Sequence, residues 1–401
     1  MSWPMVKLGE IFTISRGGSP RPIQDYITDS SDGVNWIMIG DTEPNSKYIK
    51  KTAKKIKFEG VKKSRKVYSG DLLLTNSMSF GRPYILNVEG CIHDGWLVLS
   101  PKNDQINIDY FYHYLNSATA KIIIENKAAG AVVKNLNSDI VRNLEVPFPP
   151  ITEQIKIAST LDKADNIRQK RNQAIKLADD FLHAAFLEMF GDPVSNPKGW
   201  KVKPLKELSV KIASGSTPKG GSKVYVDKGI TFFRSQNVWK NDIRLDDVAY
   251  IDEKTHNSLK KSSLKHKDIL MTKTGRFNTE NSSLGRAALF LGDDDSANVN
   301  GHVYLIRLKS GILHEFITYI LTSNEYREHI REVCVGGIDK RQLNKEHIED
   351  FPIICPPDDL QMEFMRKLNS IQKIRSNAMT GLKEVTPLFN TLSQKAFSDG
   401  F

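Results

Sequence analysis

Residues 47–66 read KYIKKTAKKIKFEGVKKSRK: ten lysines and arginines against one acid, Glu59, with Tyr48 and Phe58 interleaved. Cations at this density neutralise phosphates and release their counterions, a contact that is sequence-independent and weakens with salt. Lys47, Lys50, Lys54, Lys62, Lys63 and Arg65 are the candidates here, although a solvated lysine-rich face has the same composition. Residues 260–267 (KKSSLKHK) form a shorter stretch of the same kind. Reading bases takes other side chains: arginine pairs bidentately with guanine, and asparagine or glutamine with adenine. Such groups gather at Asn76, Ser77, Ser79 and Arg82, and again at Lys273, Arg276, Asn278, Asn281 and Arg286. Arg234, Gln236 and Asn237 follow an apolar run, and Lys219 sits in a glycine-rich stretch. Two later glycine-rich segments carry Lys134 with Asn135 and Lys340 with Arg341.

Catalytic motifs are missing. The stretch GSTPKGGS (Gly215 to Ser222) misplaces the lysine and hydroxyl that a phosphate loop needs, and there is no dinucleotide fingerprint, HExxH or GxSxG. The proline pairs Pro149-Pro150 and Pro356-Pro357 do not form the Asp/Asn-Pro-Pro-aromatic motif that amino-methyltransferases use on a flipped base. Asp293, Asp294 and Asp295 read as a solvated turn rather than a metal site, and His93-Asp94 has no nucleophile linked to it. The expectation is a binding protein with no catalytic residue, metal or cofactor of its own.

A frame must hold the binding groups, and its backbone is a helix expected over Ile151 to Phe190. Ile157, Leu161, Ala164, Arg168, Arg171, Ile175, Ala178, Leu182, Ala185 and Met189 alternate steps of four and three, the spacing of a left-handed coiled-coil seam. The seam returns 207 positions later as Phe364, Leu368, Ile371, Arg375, Ala378, Leu382, Val385, Phe389, Leu392 and Ala396. The chain thus carries its own partner helix, and an antiparallel pairing with a pseudo-two-fold axis is expected. The arginines read either as snorkelling side chains or as a charged patch that meets a partner subunit. Pro387 lies inside the second helix, where a kink costing a few kcal/mol is expected.

The duplication extends through the chain. Trp3, Leu8 and Ile11 match Trp200, Leu205 and Leu208, GGSP (Gly17 to Pro20) matches GSTP (Gly215 to Pro218), and GDLLLT (Gly70 to Thr75) matches KDILMT (Lys267 to Thr272). Gly81-Arg82 pairs with Gly285-Arg286, Leu136-Asn137 with Leu343-Asn344, Pro149-Pro150 with Pro356-Pro357, and Gln154 with Gln361. The organisation expected is a globular domain over 1–150, a helix over 151–190, a turn-rich hinge over 191–199, a second domain over 200–357 and a second helix over 358–401. Strands are expected at 34–39, 70–75, 95–100, 230–235, 267–272 and 302–308, and helices near 108–126 and 313–333. The fold class is α/β (mixed α+β). A 40-residue helix is about 60 Å long at 1.5 Å per residue, so it can serve as a spacer matched to one or two turns of DNA, roughly 34 Å each.

The 401 residues carry 57 Lys+Arg against 47 Asp+Glu, a net charge of +10 that favours a polyanionic partner. No apolar run reaches membrane-span length, and no signal-peptide pattern opens the chain. Cys91, Cys334 and Cys355 lie far apart with no CxxC pair, as expected of reduced thiols in a cytoplasm.

Taken together, the Trp-x-x-x-x-Leu openings, the GS-type turns, the GD/KD strands and the late glycine-rich loops come in duplicate. So do the helix starts PPITEQIKIA and PPDDLQMEFM, and the whole chain resembles the specificity subunit of a type I restriction–modification system. The resemblance implies a double-stranded DNA partner, with each domain reading half of a bipartite, asymmetric site and the helix pair as spacer. It also implies two modification subunits docked on the helices, holding S-adenosylmethionine, and restriction subunits using ATP and Mg. Two other readings stay open: a self-contained DNA methyltransferase or nuclease with an unrecognised centre, and a helical scaffold that tethers DNA without sequence preference.

Overall fold

The computed structural model describes residues 3–43, 46–76, 81–129, 136–277, 281–337 and 339–398, with no account of the side chains of 128 and 129. The chain divides into two compact units, one made of Met1–Ile175 with Ser376–Phe401, the other of Lys176–Arg375. The divisions fall inside both long helices, Ile151–Phe190 and Asp358–Ser398, not at their ends. Each unit therefore holds one globular domain, part of the helix that follows it and part of the other helix. No helix among the described residues is long and apolar enough to cross a membrane.

In the first unit the main sheet runs Phe12–Arg16, Trp96–Pro101, Leu72–Thr75, Pro83–Leu86, Tyr48–Ile49. All its pairings are antiparallel but the last. The middle strand explains why LLLT is unbroken by polar residues: alternate side chains face opposite ways, and both faces are covered. Leu72 and Leu74 join the core with the domain helices and Ile157, Leu161 and Ala396 of the long helices, while Leu73 joins a core with Tyr84 and Trp96. A second sheet runs Ile27–Thr28, Lys54–Ile56, Val34–Ile37, Gly90–Ile92, Arg65–Val67.

The second unit repeats the plan. Its main sheet, antiparallel throughout, runs Ser209–Ser214, Val303–Leu308, Ile269–Thr272, Ala287–Leu289. Ile269 and Met271 face one core and Leu270 the other. A smaller sheet runs Ala249–Ile251, Ile230–Phe233, Ala297–Val299. In each unit the domain's first strand pairs antiparallel with its last, Met5–Lys7 with Glu145–Pro147 and Val202–Pro204 with Pro352–Ile354, which closes the domain just before a long helix begins.

The repeated residues now have physical reasons. The indole N–H of Trp3 donates to the Ala396 carbonyl (3.4 Å) and that of Trp200 to the Phe190 carbonyl (2.8 Å), each satisfying a carbonyl left over at the end of a long helix. Gln154 Nε2 donates to the Pro149 carbonyl and Gln361 Nε2 to the Pro356 carbonyl, both at 2.8 Å, tying each helix start to its double proline. Asp71 and Asp268 each accept the backbone N–H three residues earlier (2.8 Å), closing the turn before the middle strand. That turn needs a positive φ one residue before the aspartate, which Gly70 adopts freely (94°) and Lys267 adopts at 67°.

The six expected strands are all present. The two expected domain helices are each split, into Ile108–Asn116 with Ala118–Ala129 and His314–Thr322 with Asn324–Val333. The divider is a serine, Ser117 or Ser323, which ends one helix in an extended conformation and caps the next: its hydroxyl accepts from Ala120 N–H or Tyr326 N–H, both 3.2 Å. The expected hinge at 191–199 is a cross-bonded turn, with Asn196 Nδ2 donating to the Trp200 carbonyl (2.8 Å) and its Oδ1 accepting from Trp200 N–H (2.9 Å). The second long helix runs on through Pro387 to Ser398.

All the seam positions are buried or half-buried, while most residues between them are exposed. In the first unit Arg168 lies 4.8 Å over the Phe389 ring and Arg171 lies against Gly381; in the second, Lys367 meets Met189 (3.8 Å) and Arg375 meets Asp179 (3.0 Å). Within each unit, rising numbers on one helix meet falling numbers on the other, so the helix segments pair antiparallel. The seam arginines do not simply snorkel outward; each is engaged within the pair, Arg168 also by Asp165 at 2.5 Å.

Candidate nucleic-acid interface

Four segments remote in sequence meet at one end of the main sheet. In the first domain Asn76 N–H donates to the Gly95 carbonyl (2.9 Å), and Leu136 N–H to the Asn76 carbonyl (3.2 Å). Gly17 N–H donates to the Trp96 carbonyl (2.9 Å) and Gly18 N–H to the Ile92 carbonyl (3.1 Å). The second domain repeats the wiring: Lys273 to His302 (2.9 Å), Leu343 to Lys273 (2.9 Å), Gly215 to Val303 (2.8 Å) and Ser216 to Val299 (3.1 Å). The glycine opening each GS turn is required by this approach, since a Cβ at Gly17 or Gly215 would overlap the carbonyl of His93 or of Val299 and Asn300. The described ends of the loop after the middle strand and of the late loop, Asn76 and Leu136 or Lys273 and Leu343, thus meet the GS turn and the turn before the neighbouring strand at one place in each domain. In the second domain a small sheet strengthens it, Thr274–Gly275 pairing with Arg341–Gln342 and that with Val335–Gly336.

The candidate side chains divide sharply. Lys47 is 8% exposed, and its ammonium sits 2.6 Å from both Asp109 and Asp162, whose Oδ1 also meets His113 Nε2 at 2.7 Å. Burial lowers the Lys47 pKa, but Asp109 and Asp162 outweigh it and the net shift is upward. Burial likewise raises Asp162, but hydrogen bonds from His113 and Lys47 hold it below its usual value. Asn76 is buried, donating to the Asp94 carbonyl (2.6 Å). Asn237 is buried too, its amide donating to the Arg244 and Asp247 carbonyls (3.0 Å each) and accepting from Arg234 N–H. All three were expected to contact DNA; the Asn76 and Asn237 amides are instead bonded inside their domains and brace the loops, and Lys47 ties its domain to Asp162 of the long helix. Arg234 and Gln236 both bond to Asp247, and with Gln236 the stronger influence they hold its carboxyl below the usual range.

Lys50, Lys54, Lys62, Lys63, Arg65, Lys219, Arg276 and Lys340 are exposed. Among them Lys63 lies 4.9 Å over the Tyr26 ring and Arg65 Nε reaches the Arg16 carbonyl at 3.4 Å. Half-buried Arg82, Lys273 and Arg341 rest over Tyr84, Tyr304 and Phe277 at 5.2, 5.6 and 4.6 Å. Arg286 donates from Nε to the Ser282 carbonyl (3.0 Å) and from Nη2 to the Asn281 carbonyl, so it braces the loop it closes. Ser77, Ser79, Lys134, Asn135 and Asn278 lie outside the described residues. Asp94 Oδ1 accepts from the Ser19 hydroxyl (2.9 Å), and Asp294 and Asp295 accept from His266 N–H and the Ser263 hydroxyl (2.8 and 2.6 Å), each tying its turn to a segment remote in sequence.

Trp239 and Arg244, absent from the sequence-based candidates, lie beside Arg286 in a hairpin that pairs Val238–Trp239 with Asp242–Ile243. The hairpin was signalled only by Lys240-Asn241 between Val238-Trp239 and Asp242-Ile243, and its stacking partner is more than forty residues away.

The long helices carry a second feature. Ile155 (51% exposed) and Ile167 (49%) have Met362 (47%) and Ile374 (54%) at the equivalent positions, and Phe181 (54%) has Leu388 (67%). The first unit thus presents Ile155, Ile167 and Leu388, and the second Met362, Ile374 and Phe181 at the equivalent positions, with Leu177 (57%) exposed in the second alone.

The family model for the type I restriction modification DNA specificity domain matches twice, over residues 2–177 and 197–386. The chain belongs to that family. It is 24% identical to the type I restriction enzyme MjaIX specificity subunit of Methanocaldococcus jannaschii over 90% of this chain and 85% of that protein. It is 22% identical to the MjaVIII specificity subunit of the same organism, over 93% and 86%. The fold is shared with the S subunit of a type I restriction–modification system from M. genitalium, with a TM-score of 0.59 and 16% identity over 99% of this chain and 96% of that one. A specificity-domain family whose model matches twice agrees with the two loop-built surfaces.

Proposed function

We propose that this chain is the DNA-sequence specificity subunit of a type I restriction–modification system, with each globular domain reading one block of a bipartite double-stranded site. One observation carries the reading: the same backbone wiring gathers the same four segments in both domains, while the side chains on them differ. A shared frame with divergent loops is what two readers of different short sequences require, because base edges are read by side chains and the frame only presents them. The exposed lysines beside these loops supply the phosphate attraction that keeps either domain on the duplex.

The recurrence of exposed apolar residues at equivalent helix positions in both units supports two docked copies of one partner, the modification subunit. That partner holds S-adenosylmethionine and transfers the methyl group; restriction subunits bring ATP and Mg. This chain contributes no catalytic group and works in the cytoplasm, and the helix pair sets the gap between blocks. The test is selection of binding sites from random duplexes by the chain assembled with modification subunits. Two short defined blocks around an undefined gap of fixed length are expected; one contiguous motif, or no preference, overturns the reading.

A further inference from the structure

The guanidinium carbons of Arg244 and Arg286 lie 3.5 and 3.8 Å from the ring centroid of Trp239. Two guanidinium groups that near one centroid, each in van der Waals contact with the ring plane, would collide on one face, so they cover opposite faces. The indole is sandwiched, and two positive charges face each other across about 7 Å, the two distances combined. Both faces being covered, the ring offers no surface for stacking a base. What it does is hold two cations still, since each gains from the ring's negative face.

The platform under the stack is rigid. Asn241, at the hairpin turn with φ 54°, donates its N–H to the Ala287 carbonyl (2.9 Å), and its Oδ1 accepts from the Thr322 hydroxyl (3.1 Å). The Trp239 indole N–H donates to the Gln236 carbonyl (2.9 Å). Arg286 is further fixed by the carbonyls of Ser282 and Asn281. Arg244 has Asp242 at 3.6 Å with both side chains about half exposed, and among the described residues Arg286 is met by the Ser282 and Asn281 carbonyls and by the arginines Arg244 and Arg327. Burial, then Arg244 and Arg327 nearby, lower Arg286's affinity for its proton. In the first domain the equivalent Arg82 lies over Tyr84 at 5.2 Å.

We infer that the Arg244–Trp239–Arg286 stack is a binding site for one backbone phosphodiester of DNA, fixing the register of the duplex on the second domain. The inference rests on the proposed reading of DNA by this domain and adds a division of labour. Arg244, free to turn its outer donors to an anion, positions; Arg286, which also braces residues 281–286, positions and shapes the reading loop. A phosphodiester oxygen held by the outer donors of Arg244 lies in the field of both cations, with Arg286 acting on it through the ring it helps to hold. Phosphate contacts of this kind set orientation without carrying sequence information.

The experiment compares the full chain, assembled with modification subunits, as wild type, Arg244→Ala and Arg286→Ala on the duplex returned by site selection. For Arg244→Ala the slope of log affinity against log salt is expected to shrink by about 1, with the selected bases unchanged. Duplexes with single methylphosphonates, scanned along both strands, should include one position that weakens wild type and not Arg244→Ala. Arg286→Ala should lose that same position and also relax base preference in the second block. An unchanged salt slope for Arg244→Ala, or altered base preference in that variant, overturns the inference. Inorganic phosphate alone should leave tryptophan fluorescence unaltered; a change abolished by Arg244→Ala would assign the site to a free anion and overturn the DNA assignment. If wild type itself shows no sequence preference, it is the underlying reading of the domain that fails.

Discussion

The guanidinium of Arg171 fills the space in which a side chain at residue 381 would stand, with Gly381 buried beneath it in the facing helix. A glycine in a helix interior normally costs about 1 kcal/mol against alanine, so its presence beside the seam needs a reason, and Arg171 is that reason.

Gly381→Ala is therefore expected to bring little or no stabilisation in the wild-type background, because the arginine must move. In an Arg171→Ala background the same change should recover roughly 1 kcal/mol of helix propensity. Unfolding midpoints of the four proteins measure the coupling; equal effects of Gly381→Ala in both backgrounds would show that the two residues are independent.

The Lys47–Asp162–His113 contacts join the first domain to its long helix and give a pH signature. The carboxyl of Asp162 has its folded pKa depressed, so its contribution is present above the unfolded value near 3.9 and is lost as pH falls through the lower folded value. Because Asp162 is 42% exposed, solvent screens the contacts and the contribution at neutral pH is about 1 kcal/mol. Asp162→Asn should lower the melting temperature at pH 6 and converge with wild type below about pH 3. A difference that stays constant across that range would remove Asp162 from the acid limb. The raised Lys47 adds an alkaline limb, intact below its unfolded value and lost as pH rises through the higher folded one.

The apolar trios predict a stoichiometry. Ile167→Asp and Ile374→Asp replace exposed side chains, so each should change stability by less than about 0.5 kcal/mol. Each alone should remove one modification subunit from the assembly, and the double variant both, as read by native mass spectrometry. Retention of two subunits by the double variant would place the docking surface elsewhere.

How much of this was legible beforehand follows from the range of each signal. The two long helices end where the seam and double prolines place them, because a periodic pattern over forty residues is local and redundant. The split at Ser117 and Ser323 was written in residues that favour helix caps, yet the apolar pattern running through each serine masked it. Lys47, Asn76 and Asn237 were misplaced because residue type argues for solvent, whereas their burial depends on Asp162, Asp94 and Asp247, partners up to 115 positions away. Trp239 between Arg244 and Arg286 is likewise a product of strand pairing, which no short-range pattern encodes.

The spacer argument gives the last prediction. The antiparallel contacts within each unit mean that lengthening one helix alone would shift its seam against the other, so the insertion has to be matched. Four residues placed between Lys170 and Asn172, with four more after the facing Leu382, add about 6 Å of rise to each helix at 1.5 Å per residue. A step of four keeps the apolar stripe close to its original face, overshooting one turn by roughly 40° and locally unwinding the pair. At about 34 Å per ten base pairs, the gap between the two selected blocks should grow by roughly two base pairs. The bases within each block should stay the same, since neither reading surface is touched. Site selection from random duplexes reads both quantities at once: a longer gap with unchanged blocks makes the helix pair the ruler, and an unchanged gap takes that role away from it.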